Sequence, residues 1–301
     1  MDTVQRAKLL LYFLYGFLAL LLIGVPLAAF MFYQQNTYPD DSLMLADFNY
    51  PVDAVACTEG QKSGAAGVSN QLHSPKGFAF HVRTPANYQS RYAHPLLVVF
   101  APSVSGLLME KYTGLTHDAT AQGFIVAYVD GQRLNMASIK ELGQIPAQIS
   151  KDWCIDEQRV FLTGHSDGGT VSSALAFLPD SPVHPAAIAP SAAGITGDEL
   201  KNYACPSPLS VLVMHNAGDT HFPGFGAQTA ARWAECNRCE SKPQVVSVGK
   251  NCVRYPNCAE GVETLYCEGQ GGSHLTWPGI NKTLIDFFVK SPSKPKALSA
   301  E

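Results

Sequence analysis

The sequence predicts an α/β fold in which helices cover both faces of a mostly parallel central sheet, preceded by one N-terminal transmembrane helix. Three observations predict it: short apolar runs alternate with helix-length segments, a glycine-rich hexapeptide joins a strand to a helix, and a long uncharged apolar segment begins the chain. With 301 residues, 46% of them hydrophobic, the chain is long enough to bury the core of one large domain.

The uncharged apolar segment covers residues 9–33. It exceeds the roughly 20 residues that span a bilayer and also the usual signal-peptide core of about 7–15 residues. Arg6 and Lys8 precede it, whereas Asp40 and Asp41 follow, so the positive-inside rule predicts that the rest of the chain is exported. We expect a membrane anchor with the following domain in the periplasm or outside the cell. A signal sequence that is cleaved after export is the alternative.

The rest of the chain divides by composition and pattern into a linker, a main domain and a tail. Residues 34–56 are a polar linker, residues 57–290 form the predicted main domain, and residues 291–301 are a Pro/Lys/Ser-rich tail. Apolar runs of strand length alternate with helical periods, which indicates a mostly parallel sheet. Residues 60–69 predict a loop. Strands are predicted at residues 77–82, 96–100, 125–129, 160–163, 187–190, 209–214 and 264–266. Helices are predicted at residues 112–122, 139–152, 170–178, 225–236 and 284–290.

Charge and cysteine content bound the partners and the compartment. The formal net charge of −4, without any basic run, gives no indication of a nucleic-acid partner. Eight cysteines fit an exported domain, because disulfides persist in an oxidising compartment. Sequence alone does not fix the pairing, since eight cysteines allow 105 connectivities. A zinc site built from Cys236, Cys239, Cys252 and Cys258 is the alternative use of these thiols.

Residues 164–169 read GHSDGG and lie between a predicted strand and a predicted helix. Strand, sharp turn and helix is the arrangement of a nucleophile elbow, in which a serine sits in a strained backbone conformation. Glycine neighbours fit this turn because larger side chains would clash there. The turn also places Ser166 at a helix N-terminus, where backbone N–H groups favour a developing negative charge. Ser166 is therefore the predicted nucleophile of an α/β-hydrolase fold.

A serine hydroxyl needs a base, and the base needs an acid that orients it. In α/β-hydrolases the acid and then the histidine follow the nucleophile along the chain. Asp219 comes a short turn after the strand predicted at residues 209–214, so it is the candidate acid. His274 lies in a glycine-rich loop after the last predicted strand and is the candidate base. The other downstream histidines are expected in the core (His215) and on the surface (His184 and His221).

The oxyanion hole of such a site pairs the N–H after the nucleophile with one from the loop after an earlier strand. The first donor is therefore the N–H of Asp167. The loop after residues 96–100 begins Ala101-Pro102-Ser103, and proline has no N–H to donate. Ser103 is the candidate for the second donor.

Three motifs together carry a family resemblance. GHSDGG, the Gly218-Asp219-x-x-Phe222-Pro223 turn and the loop GGSHLTWPG resemble the esterases related to polyhydroxybutyrate depolymerases and to feruloyl and acetylxylan esterases. The resemblance covers residues 77–288. It implies an α/β-hydrolase fold, with Ser166 as nucleophile, Asp219 as acid and His274 as base.

The resemblance also implies a disulfide between Cys239 and Cys258. Trp277 and Phe222 are expected to line an acyl or aromatic pocket, with a structural role for Trp277 as the alternative. The chain departs from the family at Ala101-Pro102, where many relatives carry His-Gly, and this departure affects the oxyanion loop.

The first hypothesis is thus an exported, membrane-tethered serine esterase that needs no metal or organic cofactor. Hydroxyalkanoate esters, feruloyl esters and acetylated sugars are all candidate substrates, either as small molecules or in polymers. The second hypothesis is a catalytically silent α/β-hydrolase that serves as an exported binding module. A peptidase or an acyltransferase on the same fold is a third, since the fold does not define the acyl acceptor.

Overall fold

The computed structural model describes residues 56–293 except Glu59, Lys250 and Gln270, together with four isolated residues nearer the N-terminus. The chain divides into two compact units, Met1–Pro39 and Asp40–Glu301. The predicted transmembrane segment at residues 9–33 lies outside the described residues, except for Tyr12 and Tyr15. The predicted linker at residues 34–56 also lies outside them, except for Ala46 and Ala56. Among the residues that are described, we find no helix with the length and apolarity that a membrane span requires.

One mixed sheet organises the second unit. Its described strands are β1 (Val68–His73), β2 (Ala79–Arg83), β3 (His94–Phe100), β4 (Ile125–Val129), β5 (Ile155–His165), β6 (Ala187–Ser191), β7 (Ser210–Asn216), β8 (Gln244–Val246), β9 (Cys252–Tyr255) and β10 (Thr264–Gly269). Their order is β1-β2-β4-β3-β5-β6-β7-β10-β9-β8. The six central strands from β4 to β10 are parallel, and the two strands at each edge are antiparallel to their neighbours. The fold is therefore that of an α/β-hydrolase.

Helices cover both faces of the sheet. They are α1 (Gly106–Thr113), α2 (Leu115–Ala121), α3 (Met136–Leu142), α4 (Ile145–Asp152), α5 (Asp167–Phe177), α6 (Gly197–Leu200), α7 (Phe225–Cys236) and α8 (Asn281–Lys290). Side chains alternate between faces along a strand. Leu96 and Val98 of β3 therefore face a core shared with α3, α4, α5 and α7. Leu97 and Val99 face a second core, shared with α1, α2 and α8. Two apolar cores thus bury the central strands on both sides.

The predicted elements are present, with three kinds of difference. All seven predicted strands occur, one of them with the predicted bounds (β4) and six with shifted ends. The strands β1, β8 and β9 were not predicted, because their sequences are short or polar at the sheet edges. The predicted loop at residues 60–69 ends two residues early, where β1 begins. The predicted helix at residues 112–122 is two helices, because Gly114 adopts the left-handed conformation with φ 62°. The predicted helix at residues 139–152 is likewise divided between α3 and α4.

All eight cysteines form disulfides: Cys57–Cys154, Cys205–Cys236, Cys239–Cys258 and Cys252–Cys267. The Cys239–Cys258 pair that the family resemblance implied is confirmed. The zinc alternative is wrong, because each of its four sulfur atoms is bonded to another sulfur. Three of the four disulfides lie in the last third of the chain, where β8 and β9 are short.

Candidate active site

Ser166 occupies the sharp turn between β5 and α5. Its backbone angles are φ 56° and ψ −117°, a conformation that costs energy in a residue with a side chain. Gly168 makes the turn possible, because a Cβ there would lie 1.9 Å from the carbonyl oxygen of Phe100. A Cβ on Gly164 would lie 2.5 Å from the carbonyl carbon of Gly168. The glycines of GHSDGG therefore allow the backbones of β3, β5 and α5 to touch beside the serine.

The structure brings Ser166, His274 and Asp219 together in a hydrogen-bonded chain. The Nε2 atom of His274 lies 2.9 Å from the Oγ atom of Ser166, and its Nδ1 atom lies 2.8 Å from Oδ2 of Asp219. The three residues follow β5, β10 and β7, three strands that run in the same direction. They meet because the carboxyl ends of parallel strands share one edge of the sheet. This geometry is that of a nucleophile, a base and an orienting acid.

Asp219 is buried, and hydrogen bonds hold its carboxylate in the ionised form. Burial acts to raise the pKa of Asp219, but donation from the amide of Phe222 and from His274 more than offsets it, so this pKa lies below the ordinary value. Its Oδ1 atom accepts from the amides of His221 and Phe222, each at 2.9 Å. The Gly-Asp-x-x-Phe-Pro turn thus supplies the donors that fix its own acid.

The loop that contains His274, which we call the histidine loop, is held by two residues that the sequence did not single out. The Nε2 atom of His165 lies 2.6 Å from the carbonyl oxygen of His274, and its Nδ1 atom lies 3.0 Å from the hydroxyl of Ser191. A carbonyl oxygen only accepts, so Nε2 carries the proton and Nδ1 accepts from Ser191. The side-chain amide of Asn216 donates to the carbonyls of Ser273 (3.0 Å) and Thr276 (2.6 Å).

Burial lowers the pKa of His165 to about 4, so the ring is neutral at neutral pH. Each of the two supporting side chains is the last residue of a central strand, β5 or β7. The sequence signal that could have found them is a polar residue at the end of an otherwise apolar strand.

The three other downstream histidines lie where they were expected, and one of them, His221, also lies beside the site. His215 is buried, and burial lowers its pKa. Its Nε2 atom lies 3.5 Å from Oδ2 of Asp219, and neither ring nitrogen makes a hydrogen bond within the described part of the chain. His184 and His221 are exposed. His221 nevertheless lies beside the site, because its ring centre is 4.8 Å from that of His274.

The two expected oxyanion donors, Asp167 directly after the serine and Ser103 in the loop after β3, line a common polar cleft. The amides of Asp167 and Ser103 donate no hydrogen bond among the residues that the structure describes. This is normal for Asp167, since the first N–H groups of a helix have no intrahelical partner. The polar cleft, of about 480 Å³, is lined by polar side chains that include Ser103, Ser105, Asp130, Gln132, Arg133 and Asp167.

A second cavity, which we call the apolar cavity, is bordered by the hydrogen-bonded pair of Ser166 and His274. It measures about 290 Å³, and its lining also includes His165. The rest of its wall comes from Pro102, Val104, Leu108, Met109, Tyr112 and Leu275. Val104 also lines the polar cleft, so the two spaces adjoin.

Neither of the two expected substrate-binding aromatics is among the residues that line the apolar cavity. Trp277 is buried, donates from Nε1 to Asn281 at 2.7 Å and packs against the rings of Tyr112 and His165. These contacts fit the structural alternative that was considered for it. Phe222 packs edge-on against the ring of His274, with ring centres 4.9 Å apart, so it borders the base.

The known proteins that this chain resembles in sequence are named as esterases. No family model matches the chain. The chain is 27% identical over 246 residues to feruloyl esterase B of Piromyces equi, a match that covers 71% of this chain and 45% of that relative. It is 23% identical over 256 residues to a probable feruloyl esterase C of Aspergillus niger, which covers 77% of this chain and 91% of the relative. The chain therefore spans less than half the length of the first relative and most of the second.

Solved structures agree at the level of the fold. An acetyl xylan esterase from Aspergillus awamori superposes with a TM-score of 0.56 at 14% identity, over 74% of this chain and 99% of that structure. A thermophilic esterase from Thermogutta terrifontis superposes with a TM-score of 0.52 at 14% identity, over 77% of this chain and 95% of that structure.

The fold and these similarities first define a class: the chain is related to the carboxylic ester hydrolases that use the α/β-hydrolase fold. Within that class, the relatives that it resembles in sequence are named as feruloyl esterases, one of the groups that its motifs indicated.

Proposed function

We propose that this chain is a serine esterase that hydrolyses carboxylic esters with Ser166 as nucleophile, His274 as base and Asp219 as the orienting acid. The observation that carries the proposal is the position of His274, whose two ring nitrogens lie 2.9 Å from the serine hydroxyl and 2.8 Å from the carboxylate. The esterase relatives support the same reaction class.

The reaction divides into acylation and deacylation. The hydroxyl of Ser166 attacks the ester carbonyl carbon while its proton moves to Nε2 of His274, and the carbonyl electrons move onto oxygen. The tetrahedral intermediate then expels the alkoxide, which takes that proton and leaves as an alcohol. Water next gives a proton to His274 as its oxygen attacks the acyl-enzyme. His274 then returns that proton to Oγ of Ser166 as the acyl–serine bond breaks and the carboxylic acid leaves. Asp219 keeps the imidazole in the tautomer that accepts the serine proton, since Nδ1–H donates to it.

The amides of Asp167 and Ser103 are the proposed oxyanion donors. Their lack of other partners within the described residues supports this assignment, since a donor already bound elsewhere would not stabilise the oxyanion. One such donor typically contributes about 10²–10³ in turnover. Because Ser103 contributes a backbone N–H, the loss of the family's usual His-Gly at Ala101-Pro102 does not remove the donor.

The relatives named as feruloyl esterases make feruloyl esters one candidate substrate class, beside hydroxyalkanoate esters and acetylated sugars. We also propose that the domain works outside the cytosol. Four disulfides support export, because such bonds persist in oxidising compartments. The apolar residues 9–33 support an anchor, and N-terminal sequencing of the mature protein distinguishes an anchor from a cleaved signal.

The test of the proposed reaction is hydrolysis of p-nitrophenyl acetate by residues 34–301 produced in an oxidising compartment. Ser166→Ala and His274→Ala should each lower kcat by about 10⁴-fold or more, because each removes a member of the reacting unit. Ser207→Ala and His184→Ala are matched controls at exposed positions, and both should keep the parent rate.

Labelling with a fluorophosphonate gives an independent readout of the nucleophile. The parent protein should be labelled at Ser166, and the Ser166→Ala variant should not be labelled at all. Undiminished hydrolysis in Ser166→Ala, or a folded parent protein that reacts with neither ester nor probe, would refute the proposal and favour the silent binding module.

A further inference from the structure

The loop between β3 and α1, residues 101–105, is built against the end of β4, and we call it the oxyanion loop. The amide of Gly131, just after β4, donates to the carbonyl of Val104 at 2.8 Å. A Cβ on Gly131 would lie 1.4 Å from the carbonyl oxygen of Pro102, so the two backbones are in contact. Ser103, the proposed donor, lies between these two points of support.

Asp130, the residue between β4 and Gly131, holds the far end of the same loop. Its Oδ1 atom accepts from the amide of Gly106, the first residue of α1, at 2.7 Å. The first N–H groups of a helix have no intrahelical partner, and a carboxylate is a stronger acceptor than a neutral oxygen. Asp130 therefore fixes the point at which the oxyanion loop ends and α1 begins.

The neighbouring strand β2 in turn holds Asp130. The amide of Asp130 donates to the carbonyl of Ala79 at 3.0 Å. The buried ring of His81 accepts at Nδ1 from the amide of Gln71 at 3.3 Å, so in the neutral ring Nε2 carries the proton. That Nε2 atom lies 3.3 Å from Oδ1 of Asp130 and donates to it. A chain of contacts thus runs from β2 through the carboxylate to the oxyanion loop.

The carboxylate of Asp130 is ionised at neutral pH. Burial acts to raise its pKa, but donation from His81 and from the amide of Gly106 more than offsets this effect, so the pKa lies below the ordinary value. Asp130 lines the polar cleft together with Ser103 and Asp167, yet the proposed reaction gives it no chemical step. Its contacts point to a role in holding the loop.

We propose that Asp130 is a positioning residue of the esterase reaction, which fixes the oxyanion loop so that the amide of Ser103 is in place when the oxyanion forms. A donor stabilises an oxyanion best when it is fixed before the reaction, and a displacement of about 1 Å can cost 10²-fold in rate. This inference rests on the proposed serine esterase function and adds a residue to the same site.

The test compares two substitutions of Asp130 in the full chain, with p-nitrophenyl acetate as substrate. Asp130→Leu removes the acceptor and should lower kcat about 20-fold while KM changes less than threefold, because the oxyanion exists only after the serine attacks. Asp130→Asn keeps an acceptor oxygen for the amide of Gly106 and should retain at least a third of the parent kcat.

Asp156→Leu is the matched control. The Oδ1 atom of Asp156 also accepts from a backbone amide, that of Gln158 at 3.0 Å. Asp156 lies at the start of β5, however, whereas Ser166 follows the other end of that strand. The Asp156→Leu variant should keep the parent kcat. If Asp130→Leu does not fold, Asp130→Ala removes the same acceptor without added bulk and should lower kcat at least tenfold.

Inhibition by a trifluoromethyl ketone gives a second readout of the oxyanion donors. The Oγ atom of Ser166 bonds to its carbonyl carbon, the serine proton moves to His274, and the carbonyl electrons form an oxyanion. The inhibition constant should rise in Asp130→Leu by about the factor by which kcat/KM falls. In Asp130→Asn it should stay within threefold of the parent value.

The outcomes separate this inference from the function on which it rests. If the parent protein shows no Ser166-dependent hydrolysis, the proposed function fails. If the parent hydrolyses the ester through Ser166 and the Asp130 variants that lack an acceptor keep its kcat, only the positioning role is overturned. A rise in KM at unchanged kcat would make Asp130 a substrate contact instead. Equal losses in Asp130→Asn and Asp130→Leu would assign the effect to its charge, and either result overturns the proposal.

Discussion

The two sides of the catalytic site are held in place by different means. On the serine side, backbones of β3, β5 and α5 touch one another, and glycines leave no room for a side chain. On the histidine side, a loop reaches across the sheet edge and is held by side chains, with His165 bonding the carbonyl of His274 and Asn216 bonding two further carbonyls. Steric contact between backbones leaves little room for adjustment, whereas hydrogen bonds can be lost one at a time. A single substitution on the serine side should therefore cause a large loss of activity, whereas one on the histidine side should cause a smaller loss.

Gly168→Ala tests the serine side and should have the largest effect among substitutions of the residues that support the site. The added methyl would lie 1.9 Å from the carbonyl oxygen of Phe100, so β3 and α5 must separate. A displacement of about 1 Å at a reacting group can cost 10²-fold in rate, and we expect at least that loss in kcat/KM. Overpacking should also lower the free energy of unfolding by about 1–3 kcal/mol.

Gly77→Ala is the control for Gly168→Ala, because its methyl would have no atom within 4 Å. Its φ of 85° makes it strained, so stability should fall while activity stays. A Gly168→Ala enzyme with parent activity would show that the serine side adjusts, and the proposed contrast would then be wrong.

His165→Phe tests the histidine side and should lower kcat about tenfold, because the ring volume remains while the bond to the His274 carbonyl is lost. The variant should also change how stability depends on pH. His165 has a pKa near 4 in the folded protein, but about 6.5 when unfolded. Between these two pH values the unfolded chain binds a proton at this ring and the folded chain does not. The free energy of unfolding therefore falls as the pH drops from about 6.5 to about 4.

This loss amounts to at most about 3 kcal/mol and should be absent in His165→Phe. Urea unfolding of both proteins between pH 7 and pH 4 measures it. The stability advantage of the parent over the variant should shrink steadily as the pH falls. An advantage that does not change with pH would show that His165 does not contribute in this way.

His215→Phe should have the smallest effect, although this ring also lies beside the triad. Its nitrogens make no hydrogen bond within the described residues, and its contact with the acid is 3.5 Å long. We expect kcat to fall about threefold or less and stability to change by less than about 1 kcal/mol, measured by steady-state kinetics and urea unfolding. A loss as large as that in His165→Phe would show that proximity to the triad matters more than hydrogen bonding.

The sequence predicted what depends on local pattern. Apolar runs identified the central strands, and the glycines around Ser166 identified the turn, because steric demands of that kind are visible in neighbouring residues. The order of the strands along the chain then identified Asp219 as the candidate acid and His274 as the candidate base. The edge strands β1, β8 and β9 could not be predicted, because β8 and β9 have only three and four residues and most residues of β1 are polar.

The support of the histidine loop was missed for a related reason. His165 acts on a residue 109 positions later in the chain, and Asn216 on residues 57 and 60 positions later. Nothing in either local sequence specifies such a distant partner. The expectation for Trp277 as a pocket residue arose from its place in the loop motif, whereas its contacts with Asn281 and Tyr112 depend on packing against α8 and α1.

The Cys57–Cys154 disulfide has a consequence for a protein exposed to proteases. Arg133 lies in an exposed stretch between these two cysteines. A cut after it would place the oxyanion loop and most of the apolar cavity wall on one fragment, and Ser166, Asp219 and His274 on the other. The disulfide would still join the two fragments covalently. A nicked molecule should therefore run as one species on a non-reducing gel, keep its two halves assembled and separate only when a reductant is added.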